Sequence, residues 1–159
     1  MGETIPRGVK ILTDVNVLAI GLTDDHPAHE YVWPWIRDAL DGPNVLLLFD
    51  YYPFRAQYIM TRQFGVSETD ARNAVQSLVQ SPARLVGASE GAILDAYEVS
   101  AEQTHDVYDS FIVALAREHD ADYLVTTDTD FVDLCADEAV EYTNPVPEDE
   151  LEVLSLTDG

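Results

Sequence analysis

Hydrophobic and polar positions along this chain switch between two periods, and each switch predicts an element. Phe111, Ile112, Leu115 and Ala116 fall at i, i+1, i+4 and i+5, so a helix from Val107 to His119 carries one apolar stripe. Asp106 and Asp109 open that helix, where negative charge suits the positive end of its dipole. Residues 120–122 then lead into the apolar strand Tyr123–Thr127, which exits through Asp128-Thr129-Asp130 into a helix starting at Phe131. Val45–Phe49 is an unbroken apolar run, the pattern of a strand buried on both faces. Weaker strand patterns cover Val9–Thr13, Arg84–Gly87 and Val140–Tyr142. Helical patterns cover Val15–Leu22, Ala28–Leu40, Pro53–Phe64 and Glu90–Ser100, together with a segment capped by Ser67 that runs to Gln80. Pro34 is expected to kink or divide the second of these, and Gly65 to stop the third.

Strands alternating with helices predict an α/β fold with a mainly parallel sheet covered on both faces. The length of 159 residues suits one domain, drawn here as residues 1–144 with an acidic, solvated tail over 145–159. One helical turn is expected in that tail, around Leu151–Leu154. Two of the strands end in carboxylates, Asp14 and Asp128. If those strands are neighbours at a topological switch point, both acids face one crevice.

Charge changes the picture of the surroundings. Thirty acids against eight bases give a net charge of −22, and Lys10 is the only lysine. On an otherwise ordinary core this composition points to the cytoplasm of a halophile, where a Debye length of roughly 3 Å at molar salt screens self-repulsion. In such salt the sign of the net charge says little about binding nucleic acid, and local arginines count instead. A single cysteine, Cys135, excludes an internal disulfide framework. The longest apolar run, Phe111–Ala116, is too short for a membrane span, and the amino terminus lacks a signal peptide's apolar core. A soluble cytoplasmic protein is expected.

The candidate chemistry lies in three acidic places: Asp14-x-Asn16 after the first strand, Asp109 opening a core helix, and the TTDTDF exit with Asp128 and Asp130. Carboxylates converging with no lysine nearby repel one another unless a divalent cation sits between them. All-oxygen ligands select magnesium or manganese over zinc. The fitting reaction is metal-assisted phosphodiester hydrolysis. Thr126 and Thr127 stand where they can hydrogen-bond the acids. His26, His29, His105 and His119 show no metal-like clustering and read as structural. Tyr31, Trp33 and Trp35 read as packing residues, although such rings can stack on bases.

These pieces together resemble the PIN domain family, of the kind found in the toxin halves of VapBC-type toxin–antitoxin pairs. The resemblance rests on TDVN with Asp14 and Asn16, YDSFIVALA with Asp109, and LVTTDTDF with Asp128 and Asp130, and it spans roughly Lys10–Asn144. It implies a three-layer sandwich around a parallel sheet and a magnesium- or manganese-dependent ribonuclease. Asp14, Asp109 and Asp128 would be the catalytic acids, holding the metal together with Asp130, and Asn16 would orient them. It also implies RNA as substrate, frequent homodimers and a small antitoxin partner.

One departure stands out. The family pattern places a further acid, usually glutamate, on the helix after the second strand, and that position falls on Arg55 in PFRAQYIMTRQFG. Asp50 is the nearest substitute acid. Arg55 and Arg62, seven apart on one helical face, are alternatively phosphate-binding residues, with Arg84 a third candidate. A degenerate, non-catalytic domain that binds RNA or protein is therefore the second reading. A haloacid-dehalogenase-like phosphatase is a distant third, because Lys10 sits at the wrong end of the first strand.

Overall fold

The computed structural model describes residues 5–103 and 106–153, so His105 and Leu154 lie outside the described residues. Five strands alternate with helices: β1 (Lys10–Thr13), α1 (Val15–Gly21), α2 (His29–Asp41), β2 (Val45–Phe49), α3 (Tyr52–Arg62), α4 (Glu68–Val79) and β3 (Arg84–Val86). Then follow α5 (Glu90–Gln103), α6 (Val107–Glu118), β4 (Tyr123–Val125), α7 (Phe131–Cys135), β5 (Glu141–Thr143) and α8 (Glu148–Val153). All four strand pairings are parallel, in the order β3-β2-β1-β4-β5. The α/β expectation is met, with a sheet that is parallel throughout.

The sheet owes its centre to the strands with the most continuous apolar sequence. Ile11, Leu12, Leu46, Leu47 and Leu48 are all buried, and α1 adds Val17, Leu18, Ala19 and Ile20. β2 spans the residues its apolar run predicts, because Asn44 and Asp50 bound that run sharply. Asn44 is itself buried; its Oδ1 accepts from Val9 N–H (3.1 Å) and its Nδ2 donates to the Pro6 carbonyl (2.7 Å). The turn before β2 thereby fixes the approach to β1.

Pro34 does not divide α2. The helix continues through it, because Val32, Trp35, Ile36 and Ala39 bury one stripe on both sides of the proline. Packing of that stripe outweighs the one backbone hydrogen bond that proline cannot make. Ser67 Oγ accepts from Asp70 N–H at the start of α4, as its cap position predicts.

The segment after Asn144, expected to be solvated, is partly packed. Val146 is buried against the core while its N–H donates to Asn144 Oδ1 (3.0 Å). A cavity of about 870 Å³ lies between this segment and α2, lined by Tyr31, Trp35, Thr129, Tyr142 and Glu148 among others.

Candidate metal centre

The reversal of strand order falls between β1 and β4. Chain order runs outward from β1 through β2 to β3 on one side, and from β4 to β5 on the other. Thr13 at the end of β1 pairs with Val125 at the end of β4, so the two carboxyl ends are level. Crevices of this kind bind ligands in open parallel sheets. Asp14 follows β1 directly and Asp128 follows β4 after two threonines.

Thr126 joins the two strand exits. Its hydroxyl donates to Asp14 Oδ2 (2.5 Å) and accepts from Asp128 N–H (3.0 Å). Asp14 Oδ1 accepts from Val17 N–H (2.8 Å), so Asp14 also caps α1. Thr126 and Val17 therefore orient Asp14. Asn16, predicted for that work, is exposed in the first turn of α1 and makes no side-chain hydrogen bond among the described residues. Each carboxylate oxygen has two lone pairs, so Asp14 keeps acceptor capacity toward the crevice. Thr127 is buried, but among the described residues its hydroxyl does not bond the acids.

The other three acids converge. Asp109, Asp128 and Asp130 each offer a carboxylate oxygen, and the three oxygens lie within 4.8 Å of one another. Capping duties do not explain this. Asp106 is the residue that caps α6, accepting from Tyr108 N–H (2.8 Å) and Asp109 N–H (3.4 Å), which leaves the Asp109 side chain free of that task. Asp130 precedes α7, yet its side chain makes no cap hydrogen bond; instead its N–H donates to Asp128 Oδ1 (3.0 Å). That Asx turn folds the Asp128-Thr129-Asp130 knuckle so that both carboxylates face Asp109.

Crowding and burial have the expected electrostatic result. Burial, opposed by the Thr126 and Val17 hydrogen bonds and increased by Asp128, raises Asp14 to about 6. Burial and then the charges of Asp128, Asp106, Asp130 and Asp14 raise Asp109 to about 6. None of the ion pairs among the described residues involves these acids. A half-buried set of oxygen donors, mutually repelling and unpaired with any base, fits a hard divalent cation.

The α3 side of the crevice carries no acid. Arg55 is exposed, its guanidinium 5.4 Å from the Tyr58 ring centre, and Arg62 lies 5.7 Å from the same ring. The Arg55 charge reaches Tyr108, next to Asp109, where it lowers a phenol that burial otherwise raises. Asp50 points elsewhere: it follows β2, its N–H donates to the Val86 carbonyl (2.9 Å), and it lies near Gly87 on the β3 side. It is not among the converging acids. Arg84 is exposed at the start of β3, the opposite edge of the sheet.

Tyr52 was not foreseen. It is 1% exposed, and its hydroxyl is the only buried side-chain nitrogen or oxygen without a hydrogen-bond partner among the described residues. The strand-end rule that marks Asp14 and Asp128 also marks this position, three residues past β2. The described histidines make hydrogen bonds to the backbone. His26 Nδ1 accepts from Ala28 N–H, His29 Nδ1 lies 3.1 Å from the Ile20 carbonyl, and His119 Nε2 lies 2.8 Å from the Gly87 carbonyl. Trp35 is buried against Tyr123, and Trp33 stacks on His29.

A model of the PIN domain matches residues 11–137. The chain belongs to the PIN domain family. Solved structures agree on the fold. The Mycobacterium tuberculosis toxin VapC20, which cleaves the sarcin–ricin loop, is 16% identical with a TM-score of 0.61, over 78% of this chain and 94% of that one. VapBC2 from Rickettsia felis, bound to a DNA fragment from its promoter, is 12% identical with a TM-score of 0.62, over 85% and 98%. A toxin–antitoxin complex from Klebsiella pneumoniae is 17% identical with a TM-score of 0.57, over 86% and 98%. No curated protein sequence matches the chain at a significant level. Among the described residues, no helix is long and apolar enough to cross a membrane.

Proposed function

We propose that this chain is a divalent-metal-dependent endoribonuclease of toxin type, held in check by a small antitoxin. The observation that carries the reading is the meeting of Asp109, Asp128 and Asp130 within 4.8 Å beside the buried Asp14. Magnesium or manganese held by Asp109, Asp128 and Asp130, with Asp14 adjoining, would activate water and neutralise charge on the phosphate. Thr126 holds Asp14 in place, and Asp14 accepts the proton of the attacking water. Arg55, at the rim near Tyr108, binds a phosphate of the RNA; Arg62, beyond Tyr58, follows the strand further out. Homologous folds in toxin–antitoxin complexes support a protein partner. The exposed Ile93, Leu94 and Tyr97 of α5 give such a partner, or a second copy, an apolar face.

The second reading, a binding module without catalysis, is favoured by one observation: Arg55 stands where the family pattern has an acid. Cleavage of labelled RNA in molar potassium chloride with manganese separates the two, using wild type, Asp14→Asn and Arg55→Glu. Cutting by wild type that Asp14→Asn abolishes is the expected result. Undiminished cutting by Asp14→Asn sinks the catalytic assignment, and cutting by Arg55→Glu alone supports the binding module.

A further inference from the structure

Tyr52 is the first residue of α3, one turn before Arg55, and its ring is wedged edge-on against Phe49 at 5.5 Å. Phe49 in turn meets Phe111 of α6 at 5.4 Å. The ring therefore cannot swing away to solvent, and phenylalanine would fill the same space. A buried hydroxyl with no partner destabilises a fold relative to that simple replacement. Tyr52 follows β2, the neighbour of β1, at the carboxyl edge where Asp14 stands, and Phe49 links its ring to α6 two residues past Asp109. Burial and then the charges of Tyr108, Asp14 and Asp109 raise its phenol.

The acids differ in what they already accept. Both oxygens of Asp14 already take hydrogen bonds, and Asp128 takes one from Asp130. Among the described residues the Asp109 carboxylate takes none, and its helix turn is secured by Asp106 instead. The described residues thus include a buried donor without an acceptor and a half-buried carboxylate without a donor, on elements joined through Phe49.

We propose that Tyr52 is a positioning residue of this site, its hydroxyl donating a hydrogen bond to the Asp109 carboxylate, directly or through one water, when a cation is bound. The proposal rests on the metal-dependent reading above. It assigns α3 a neutral donor in place of a fourth acid: Tyr52 holds a ligand from behind, and Arg55 serves the rim. Hydrogen bonds behind metal ligands fix their orientation and change affinity without touching the metal.

Tyr52→Phe removes one oxygen and keeps the ring. Thermal unfolding of the chelated chain and calorimetric titration with Mn²⁺ read its two consequences separately. The expected result is a metal-free midpoint equal to or above wild type, with Mn²⁺ bound about tenfold more weakly. Excess Mn²⁺ should then restore RNA cleavage to Tyr52→Phe. Unchanged Mn²⁺ affinity overturns the proposal while leaving the metal centre intact. A metal-free midpoint that drops in step with affinity also overturns it, since the hydroxyl would then serve the fold. A wild-type chain that binds no Mn²⁺ overturns the metal reading itself, and this proposal with it.

Discussion

Asp14 is at once a helix cap and an acid in a crevice, and burial makes the combination sensitive to pH. Its folded value of about 6 stands against 3.8 for an ordinary aspartate, and Asp109 is raised to a similar value. Between those values the folded, metal-free chain binds more protons than the unfolded chain. Its stability therefore falls as pH rises from about 4 to about 6, and these two groups add no further slope above that. For Asp14 alone the loss is roughly 3 kcal/mol. Thermal unfolding with a chelator across this range should show the fall, and a flat profile would mean that Asp14 is solvated. Saturating Mn²⁺ should reverse the trend, because a bound cation favours the ionised carboxylates and its binding releases protons.

At the scale of elements, α6 supplies the acid that no strand end can provide, and its first turn is only as firm as its cap. Asp106 accepts two N–H donors there, one of them from Asp109 itself. Asp106→Ala should cost about 1 kcal/mol of stability. It should also weaken Mn²⁺ binding more than Ser67→Ala, which removes a cap from α4, a helix that carries none of the converging acids. Unfolding midpoints and Mn²⁺ titrations of the two variants make the comparison. Equal Mn²⁺ affinities would show that the turn holds its shape without the cap. The elements were legible where apolar runs had sharp polar ends, as in β2, or a strong stripe, as in α6. Pro34 left a kink and a division both open, because local backbone chemistry speaks for a break, and the buried stripe around it decided against division.

For the whole molecule, a net charge of −22 on one small domain is a load of self-repulsion that salt relieves. The unfolding midpoint should rise from about 0.1 M to about 1 M potassium chloride, as the Debye length falls from about 10 Å to about 3 Å. An unchanged midpoint would count against the halophilic reading. Asp14 is buried and Asp109 and Asp128 are half-buried, so salt screens their repulsion less than that of surface charges. Salt alone should therefore stabilise the chain less than salt with Mn²⁺, a difference that Asp128→Asn should shrink.

The sequence by itself determined the α/β class, most element positions and the identity of the acids, because these are local matters. Periodicity reports which face of a segment is apolar, and a carboxylate after a strand is visible one residue at a time. Tertiary structure alone decided that β1 and β4 are neighbours with level ends, which makes one site of Asp14 and Asp128. It decided that Thr126 hydrogen-bonds Asp14, and that Asp130 turns toward Asp109 instead of capping α7. It also left the buried Tyr52 hydroxyl without a partner among the described residues. Each of these depends on contacts between residues far apart in the chain, whose geometry is set by strand register and helix packing and leaves no mark on local pattern.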